Sequence, residues 1–241
     1  MGEQLHFVLV PFMAQGHMIP MTDLGLLLAA RGVRVSLITT PVNARRLRAS
    51  TDRAAAGVLP LPLRLVELPF PCSAAGLPEG CENIDLVPRP ELFPPFCKAP
   101  NLLVEPLKQY LRRYPPAPTC IIADQCMPWT MTVAKDLRIP RLVFHGPSCF
   151  YLLCIHNIFK HKAYDTVAGD LAAFPVPELP ERIEVNRLQA QKFFNSPEME
   201  DIQRHVDEAE KVADGFVLNT FYELEPWYID AYSKAVGKKV L

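Results

Sequence analysis

The chain has 241 residues, of which 49% are apolar and 21% are charged, and its formal net charge is -1. This length and composition suit one large α/β domain or two small ones with a full hydrophobic core. The near-neutral charge and the lack of a basic stripe argue against a nucleic-acid-binding protein and against binding to an anionic membrane surface.

The amino terminus predicts a cytoplasmic protein without a targeting segment. Glu3 lies where a secretory signal would carry basic residues, and His6 lies where a myristoylation motif requires Ser or Thr. No apolar run reaches the roughly 18 residues of a membrane-spanning helix, so we expect no membrane span.

The seven cysteines predict reduced and mostly buried thiols. Their number is odd and no two of them are spaced as C-x-x-C, whereas a zinc site usually has such pairs with histidine partners. We therefore expect no metal site.

Apolar runs and helical periodicities predict strands that alternate with helices. Strands are expected over residues 5–10, 33–39, 63–68, 119–123, 141–144 and 215–218, with a seventh beginning at 239. Helices are expected over residues 19–31, 102–113, 129–137, 148–162, 199–213 and 223–236. Proline-rich stretches predict loops at 69–100 and 174–180. Such alternation implies an α/β fold with a Rossmann-like parallel sheet and helices on both faces.

The turn after the first strand contains a candidate catalytic base. In open parallel sheets, ligands bind beyond the carboxyl ends of the strands. Gly16 in this turn lets the backbone approach a ligand, and His17 is expected at the start of a helix. An imidazole is well suited to take a proton near neutral pH. The alternative is that His17 is a purely structural loop histidine.

Asp124 follows the fourth strand and is expected at the same sheet edge as His17. A carboxylate next to a catalytic histidine fixes its tautomer and stabilises the imidazolium that forms on proton uptake. The alternative is that Asp124 caps the helix that follows it.

Other side chains near this edge are candidates for a ligand pocket. His145 follows the fifth strand and is interpreted as a pocket wall or a satisfied polar group rather than as a second base. Gln15 and Gln125 bind either a ligand or the backbone. The aromatic residues nearby are interpreted mainly as core, with several close to the crevice: Phe12, Phe93, Phe96, Trp129, Phe144 and Phe150.

Several motifs of nucleotide-binding proteins and hydrolases are missing from the sequence. There is no G-x-G-x-x-G after the first strand, no P-loop, no H-E-x-x-H and no G-x-S-x-G. The missing phosphate-binding loop disfavours a flavodoxin-like nucleotide binder.

Segments along the whole chain resemble the plant family 1 UDP-glycosyltransferases. They are residues 10–21 (VPFMAQGHMIPM), 75–83 (AGLPEGCEN), 121–124 (IIAD) before Trp129, 144–146 (FHG) before Phe150 and 219–225 (NTFYELE). The first and the last of these segments are specific in combination.

The resemblance implies a two-domain GT-B fold in which residues 1–241 are the amino-terminal, acceptor-binding domain. The long sugar-donor motif of the family, rich in Trp, His, Gly and Gln, does not occur here, so we expect the carboxyl-terminal UDP-sugar-binding domain to be absent from this chain. The family's base corresponds to His17 and its partner acid to Asp124. The acceptor-binding residues implied by the family's loops are Phe12, Gln15, Gly16, Phe93, Gln125, Trp129, His145 and Phe150.

The activity implied by the resemblance is an inverting transfer of a sugar from a UDP-sugar to a hydroxyl of a small lipophilic acceptor. The acceptor classes that the resemblance implies are flavonoids, terpenoids, steroids and hormones. The UDP-sugar is a co-substrate, and no cofactor and no metal are expected. We expect this chain alone to be inactive. The alternative is a non-catalytic acceptor-binding or interaction protein derived from such an enzyme.

Overall fold

The structure, a computed structural model, describes residues 5–56, 63–190 and 196–241 of the chain. The strands in these ranges are β1 (His6–Val10), β2 (Arg34–Thr39), β3 (Leu63–Glu67), β4 (Cys120–Asp124), β5 (Arg141–His145), β6 (Phe174–Pro175), β7 (Glu184–Val185) and β8 (Gly215–Leu218). The α-helices are α1 (Gln15–Ala30), α2 (Pro41–Ala56), α3 (Phe93–Lys98), α4 (Val104–Arg113), α5 (Thr130–Leu137), α6 (Cys149–His161), α7 (Glu200–Lys211) and α8 (Pro226–Val236).

Six of these strands form one sheet in the order β3-β2-β1-β4-β5-β8. Every neighbouring pair in it is parallel. The chain therefore builds outward from β1 to one side and then returns to the other side. The connections run to one side of β1 as far as β3 and to the other side from β4 onward, so the strand order switches between β1 and β4. Open α/β sheets bind ligands in the crevice at such a switch point. The predicted fold class is confirmed.

The central strands bury both of their faces, and alternate side chains enter different layers of the core. Val8 of β1 and Ile121 of β4 join the cluster that also contains residues of α4, α5 and α7. Leu9 and Ile122 point into the other cluster, where they meet Met18 of α1. Helices thus cover both faces, as a parallel sheet made of apolar runs requires.

The first helix begins four residues earlier than the sequence predicted. It starts at Gln15, and Pro20 lies inside it rather than near its beginning. The ring of Pro20 removes the N–H that would bond to the carbonyl of Gly16, which made a start at Ile19 the simpler interpretation. As a consequence, His17 lies in the first helical turn.

Helix α2 was not predicted because its sequence carries no apolar stripe. Ala44 and Leu47 are among its buried residues, and so are the polar residues Asn43 and Thr51. Asn43 is fully buried, and its amide donates to the carbonyl of Glu82 at 2.7 Å and to the hydroxyl of Thr40 at 2.9 Å. Hydrogen bonds with the neighbouring loop therefore position α2.

The proline-rich segment between β3 and α4 is an ordered cover over the start of α1. It contains α3 and several short 3-10 turns. The side chain of Asn83 donates to Asn43 at 2.8 Å, and the backbone N–H of Ile84 donates to the carbonyl of Met13 at 2.9 Å. The loop predicted at 69–100 is thus tied to the turn before His17.

Two further differences occur in the second half of the chain. The segment predicted as a loop at 174–180 begins with β6, which pairs antiparallel with β7. The seventh strand predicted from 239 is limited to a parallel bridge between Val240 and Phe216. Within the described residues, no helix combines the length and the apolar character needed to cross a membrane.

Candidate active site

The site lies where β1 and β4 end side by side. Val10 is in register with Ala123, so the turn into α1 and the last residue of β4, Asp124, meet at one sheet edge. Ala14 precedes α1 in an extended conformation, and its carbonyl accepts from the N–H of His17 at 3.0 Å. The strand ends and the first helical turn together place His17 over Asp124.

His17 and Asp124 are joined by a hydrogen bond. The Nδ1 atom of His17 lies 2.8 Å from Oδ2 of Asp124, and the second carboxylate oxygen accepts from the backbone N–H of Cys126 at 2.9 Å. The side chain of Asp124 is 1% exposed and that of His17 is 20% exposed. Since an ionised carboxylate only accepts, Nδ1 carries the proton and Nε2 carries the lone pair.

The carboxylate also changes the proton affinity of the imidazole. Burial alone lowers the pKa of His17, but the hydrogen bond and the negative charge of Asp124 outweigh burial and hold the pKa above its usual range. The arrangement therefore stabilises an imidazolium, the form that a general base takes after it accepts a proton.

Asp124 does not cap the following helix, because α5 begins at Thr130 and its N-cap residue is Trp129. The bond from Asp124 to the N–H of Cys126 instead closes a tight turn after β4. The capping alternative raised from the sequence is therefore wrong, and the carboxylate is directed at His17.

A cavity of about 1080 Å³ opens next to His17. Gly16, Gln125 and His145 are the sequence candidates, besides His17, that line it. Its other walls come from α6, α7, α8 and β8, with Leu152, Ile155, Phe159, Val206, Phe216 and Val236 among the apolar residues. The cavity thus combines polar side chains at the strand ends and on α7, such as Asp207 and Glu210, with apolar side chains that come mainly from α6 and β8.

His145 lies at the polar edge of this cavity. Burial lowers the pKa of His145 to about 4, so its ring is neutral at physiological pH. Nδ1 lies 2.9 Å from Oε1 of Gln125, whereas Nε2 is 3.7 Å from Oε1 of Glu210, too far for a hydrogen bond. A buried ring with so low a proton affinity is suited to a wall position and not to a base.

The other five acceptor candidates lie outside the lining of this cavity, as far as the described residues show. Phe12 is fully buried, and its ring packs edge-on against His17 with centroids 5.3 Å apart. Trp129 is buried and donates its indole N–H to the sulfur of Met127 at 3.2 Å.

The remaining three candidates differ in their surroundings. Phe93 is partly buried against the core cluster that contains Phe12. Gln15 is the half-buried first residue of α1. Phe150 packs edge-on against Tyr228 with centroids 5.2 Å apart. The aromatic residues were correctly interpreted as largely core.

Sequence reasoning did not identify the helical walls of the cavity. Leu152, Ile155 and Phe159 recur at helical spacing on α6, and Val206 and Glu210 do so on α7. This periodicity was visible in the sequence, but the same spacing is expected of any helix that packs on a core. The fold alone shows that this side of α6 faces a cavity.

One group of side chains among the described residues has the composition of a metal site. His17, Asp124 and Cys126 each place one ligand atom within 4.8 Å of the others.

The sequence matches the family model described as "Glycosyltransferase, N-terminal domain" over residues 3–240. UDP-glycosyltransferase 73E1 of Stevia rebaudiana is 46% identical over 244 residues, which cover 98% of this chain and 48% of that protein. UDP-glycosyltransferase 73D1 of Arabidopsis thaliana is 42% identical over 242 residues, covering 99% of this chain and 47% of that protein. The chain thus spans about half the length of the curated relatives it matches.

Solved structures show the same fold. The crystal structure of Glycyrrhiza uralensis UGT73P12 complexed with glycyrrhetinic acid 3-O-monoglucuronide superimposes with a TM-score of 0.84 at 31% identity, covering 98% of this chain and 48% of that one. Arabidopsis thaliana UGT89C1 complexed with quercetin gives a TM-score of 0.64 at 24% identity, over 95% of this chain and 46% of that one. The second likeness bears on the fold alone.

Proposed function

Because the chain belongs to the plant family 1 UDP-glycosyltransferases, as their N-terminal domain, we propose that it is the acceptor-binding half of a sugar-transferring enzyme. The enzyme moves a sugar from a UDP-sugar to a hydroxyl group of a small lipophilic acceptor. The observation that carries the proposal is the 2.8 Å bond between His17 and Asp124 at the edge of a large cavity.

In the proposed reaction, His17 acts as the general base. Its Nε2 lone pair takes the proton from the acceptor hydroxyl as the hydroxyl oxygen attacks the anomeric carbon of the sugar. A new carbon–oxygen bond forms, the bond to UDP breaks, and UDP leaves with its electron pair, so the configuration is inverted. Asp124 keeps the proton of His17 on Nδ1 and stabilises the imidazolium that results.

The shape and lining of the cavity support a lipophilic acceptor that carries a hydroxyl group. A volume of about 1080 Å³ is slightly above the usual range for small-molecule sites, roughly 300–1,000 Å³, so a large acceptor fits. The apolar side chains of Leu152, Ile155 and Phe159 suit fused rings, and His17 is the group that meets a hydroxyl. The glycyrrhetinic acid 3-O-monoglucuronide in the structure of UGT73P12 fits this class. We accordingly propose flavonoid, terpenoid, steroid or hormone acceptors.

We assign the UDP-sugar contacts to a carboxyl-terminal domain, with residues 1–241 as the acceptor-binding domain. The matched relatives are about twice as long as this chain. Holding two reactants in position contributes about 7–11 kcal/mol to lowering a barrier, and a chain that binds only one reactant cannot supply it. Helix termini of a second domain can hold the diphosphate without a metal.

We place the protein in the cytoplasm.

The second candidate function is a non-catalytic acceptor-binding or interaction protein. The observation that favours it is the large cavity with its apolar side chains, which can hold an acceptor without any transfer step. It requires the cavity and does not require the His17–Asp124 pair to act on a proton.

The experiment that separates the two functions mixes the purified chain with UDP-glucose and a panel of flavonoid, terpenoid and steroid acceptors. The mixture is assayed with and without a separately expressed UDP-sugar-binding domain from a relative, and acceptor binding is measured in parallel by calorimetry. We expect binding by the chain alone and transfer only when the second domain is present. Binding without transfer in a complex shown to form would favour the non-catalytic function, and robust transfer by the chain alone would contradict the division into two halves.

A further inference from the structure

Cys126 brings a thiol next to the His17–Asp124 pair. One ligand atom of each of these three residues lies within 4.8 Å of the other two. Cys126 is buried, but it lines the same cavity as His17, and so the group adjoins a space that an ion can enter. The three residues come from α1, the end of β4 and the turn that follows it, which explains why no C-x-x-C spacing marked them in the sequence.

We propose that His17, Asp124 and Cys126 form a binding site for a thiophilic divalent cation of the Zn²⁺ type. Imidazole, carboxylate and thiolate are the ligands that Zn²⁺ takes in proteins, and three protein ligands leave one coordination position open. Mg²⁺ and Ca²⁺ prefer oxygen ligands, so the thiolate selects against them.

The geometry requires only small side-chain movements. Tetrahedral zinc, at about 2.0–2.3 Å from its ligands, spaces their donor atoms roughly 3.3–3.5 Å apart. Nδ1 of His17 and Oδ2 of Asp124 are closer than this, at 2.8 Å, while no pair of ligand atoms in the group exceeds 4.8 Å. The bond between Asp124 and the N–H of Cys126 closes the turn that keeps their side chains near each other.

The charges around the group favour a dication. The carboxylate of Asp124 belongs to the group itself, and Glu210 lines the same cavity as Cys126. A bound dication neutralises the Asp124 carboxylate and the Cys126 thiolate together. Because a thiol binds a metal as the thiolate, binding releases its proton.

Occupation of this site and base catalysis exclude each other. A metal that binds Asp124 and the imidazole breaks their hydrogen bond and removes the lone pair or the orientation that proton uptake needs. The cation is therefore an inhibitor, not a cofactor. This consequence rests on the proposed function, whereas metal binding itself does not.

The binding test uses the purified 241-residue chain and Co²⁺ as a spectroscopic substitute for Zn²⁺. We expect a thiolate-to-cobalt charge-transfer band that Zn²⁺ abolishes by displacing cobalt. Cys126→Ser should lose this band and bind Zn²⁺ at least about tenfold more weakly, since changes of supporting residues alone cost 10–100-fold. Cys154→Ser, which removes a buried thiol from another cluster, should keep both properties. Absence of the band in the wild type, or an unchanged band in Cys126→Ser, would overturn the proposal.

A second variant guards against loss of folding in Cys126→Ser. Asp124→Asn keeps the thiol and should retain a charge-transfer band, with Zn²⁺ affinity again lowered at least about tenfold. Unchanged affinity in Asp124→Asn would overturn the proposed site.

The inhibition test adds Zn²⁺ to the chain assayed with a UDP-sugar-binding domain, each variant being compared with its own metal-free rate. Cys126→Ser should need at least about tenfold more Zn²⁺ for half-inhibition. Equal inhibition of both proteins would assign the effect to another site, while a cobalt band without inhibition would leave the metal site standing and contradict the role of His17 as base.

Discussion

The carboxylate of Glu225 accepts a hydrogen bond of 2.9 Å from the backbone N–H of Cys149, and its second oxygen accepts one of 2.9 Å from the N–H of Phe150. These N–H groups belong to the first turn of α6, where no helical carbonyl is available to them. A negative charge at this end of a helix is favourable as well. Because α6 forms a wall of the cavity, the segment 219–225 is tied to the site without lining it.

Replacement of Glu225 by alanine is expected to lower the free energy of unfolding by about 2–4 kcal/mol, since two charge-assisted bonds are lost and a buried N–H is left without an acceptor. Glu225→Gln keeps one acceptor oxygen and should cost less. Urea denaturation measures both. The matched control is Glu223→Ala at an exposed position, expected to change stability by less than about 0.5 kcal/mol. Similar losses for Glu223→Ala and Glu225→Ala would contradict the capping role.

The sheet was largely predictable because buried parallel strands appear as short apolar runs, and six of the seven predicted strands are present, the seventh being limited to a bridge at Val240. The elements that sequence reasoning missed are not marked by an apolar run or an apolar stripe. Helix α2 depends on polar contacts such as those of Asn43, and β6 and β7 are two residues each. Helix α2 is long enough but lacks an apolar periodicity, and the two short strands lack the length that a sequence pattern needs.

Part of the candidate site was predictable from topology alone. Since parallel strands end at one edge, His17 and Asp124 were expected to be neighbours, and they are hydrogen-bonded. The neutral state of His145 was not predictable, because it depends on burial by segments distant in sequence. The proximity of Cys126 to His17 depends likewise on the path of one turn.

His17→Ala is expected to lower turnover by roughly 10²- to 10⁴-fold, the usual contribution of a general base. The assay uses a polypeptide that joins this chain to a UDP-sugar-binding domain, with acceptor affinity measured separately. His205→Ala, at an exposed position of α7 that does not line the cavity, is the control and should keep near-normal turnover. Near-normal turnover of the His17 variant would remove His17 from the mechanism.

Asp124→Asn is expected to reduce turnover at least about 10²-fold, since an amide can hold the imidazole in the wrong tautomer. It should also lower the pKa of His17, because the carboxylate that raises it is lost and burial remains. NMR titration of the His17 ring measures this change directly. An unchanged pKa of His17 would show that Asp124 does not control its proton.

The same pair predicts a pH dependence of stability. In the wild type the folded-state pKa of His17 lies above 6.5, so the folded form binds the proton more tightly than the unfolded form. The stability that the proton provides is therefore full below about pH 6.5 and lost as pH rises through the folded-state pKa. The difference in unfolding free energy between the wild type and Asp124→Asn should shrink over that window. A difference that grows over the same window would contradict this sign.

His145 should produce the opposite pH dependence. Its pKa is about 4 in the folded chain, against an ordinary value of 6.5, because burial penalises the charged ring. Between these two values the unfolded form binds the proton and the folded form does not, so stability is full above about pH 6.5 and falls as the pH drops towards 4. The pKa difference corresponds to about 3 kcal/mol at the acid end.

In His145→Gln the side chain stays polar but cannot take a charge, and this contribution disappears. Urea denaturation of both proteins at a series of pH values from 7 to 4 is the measurement, with His205→Gln as the exposed control. The stability advantage of the wild type over His145→Gln should decrease steadily as the pH falls, and an advantage that does not change with pH would show that His145 can take up a proton where it lies.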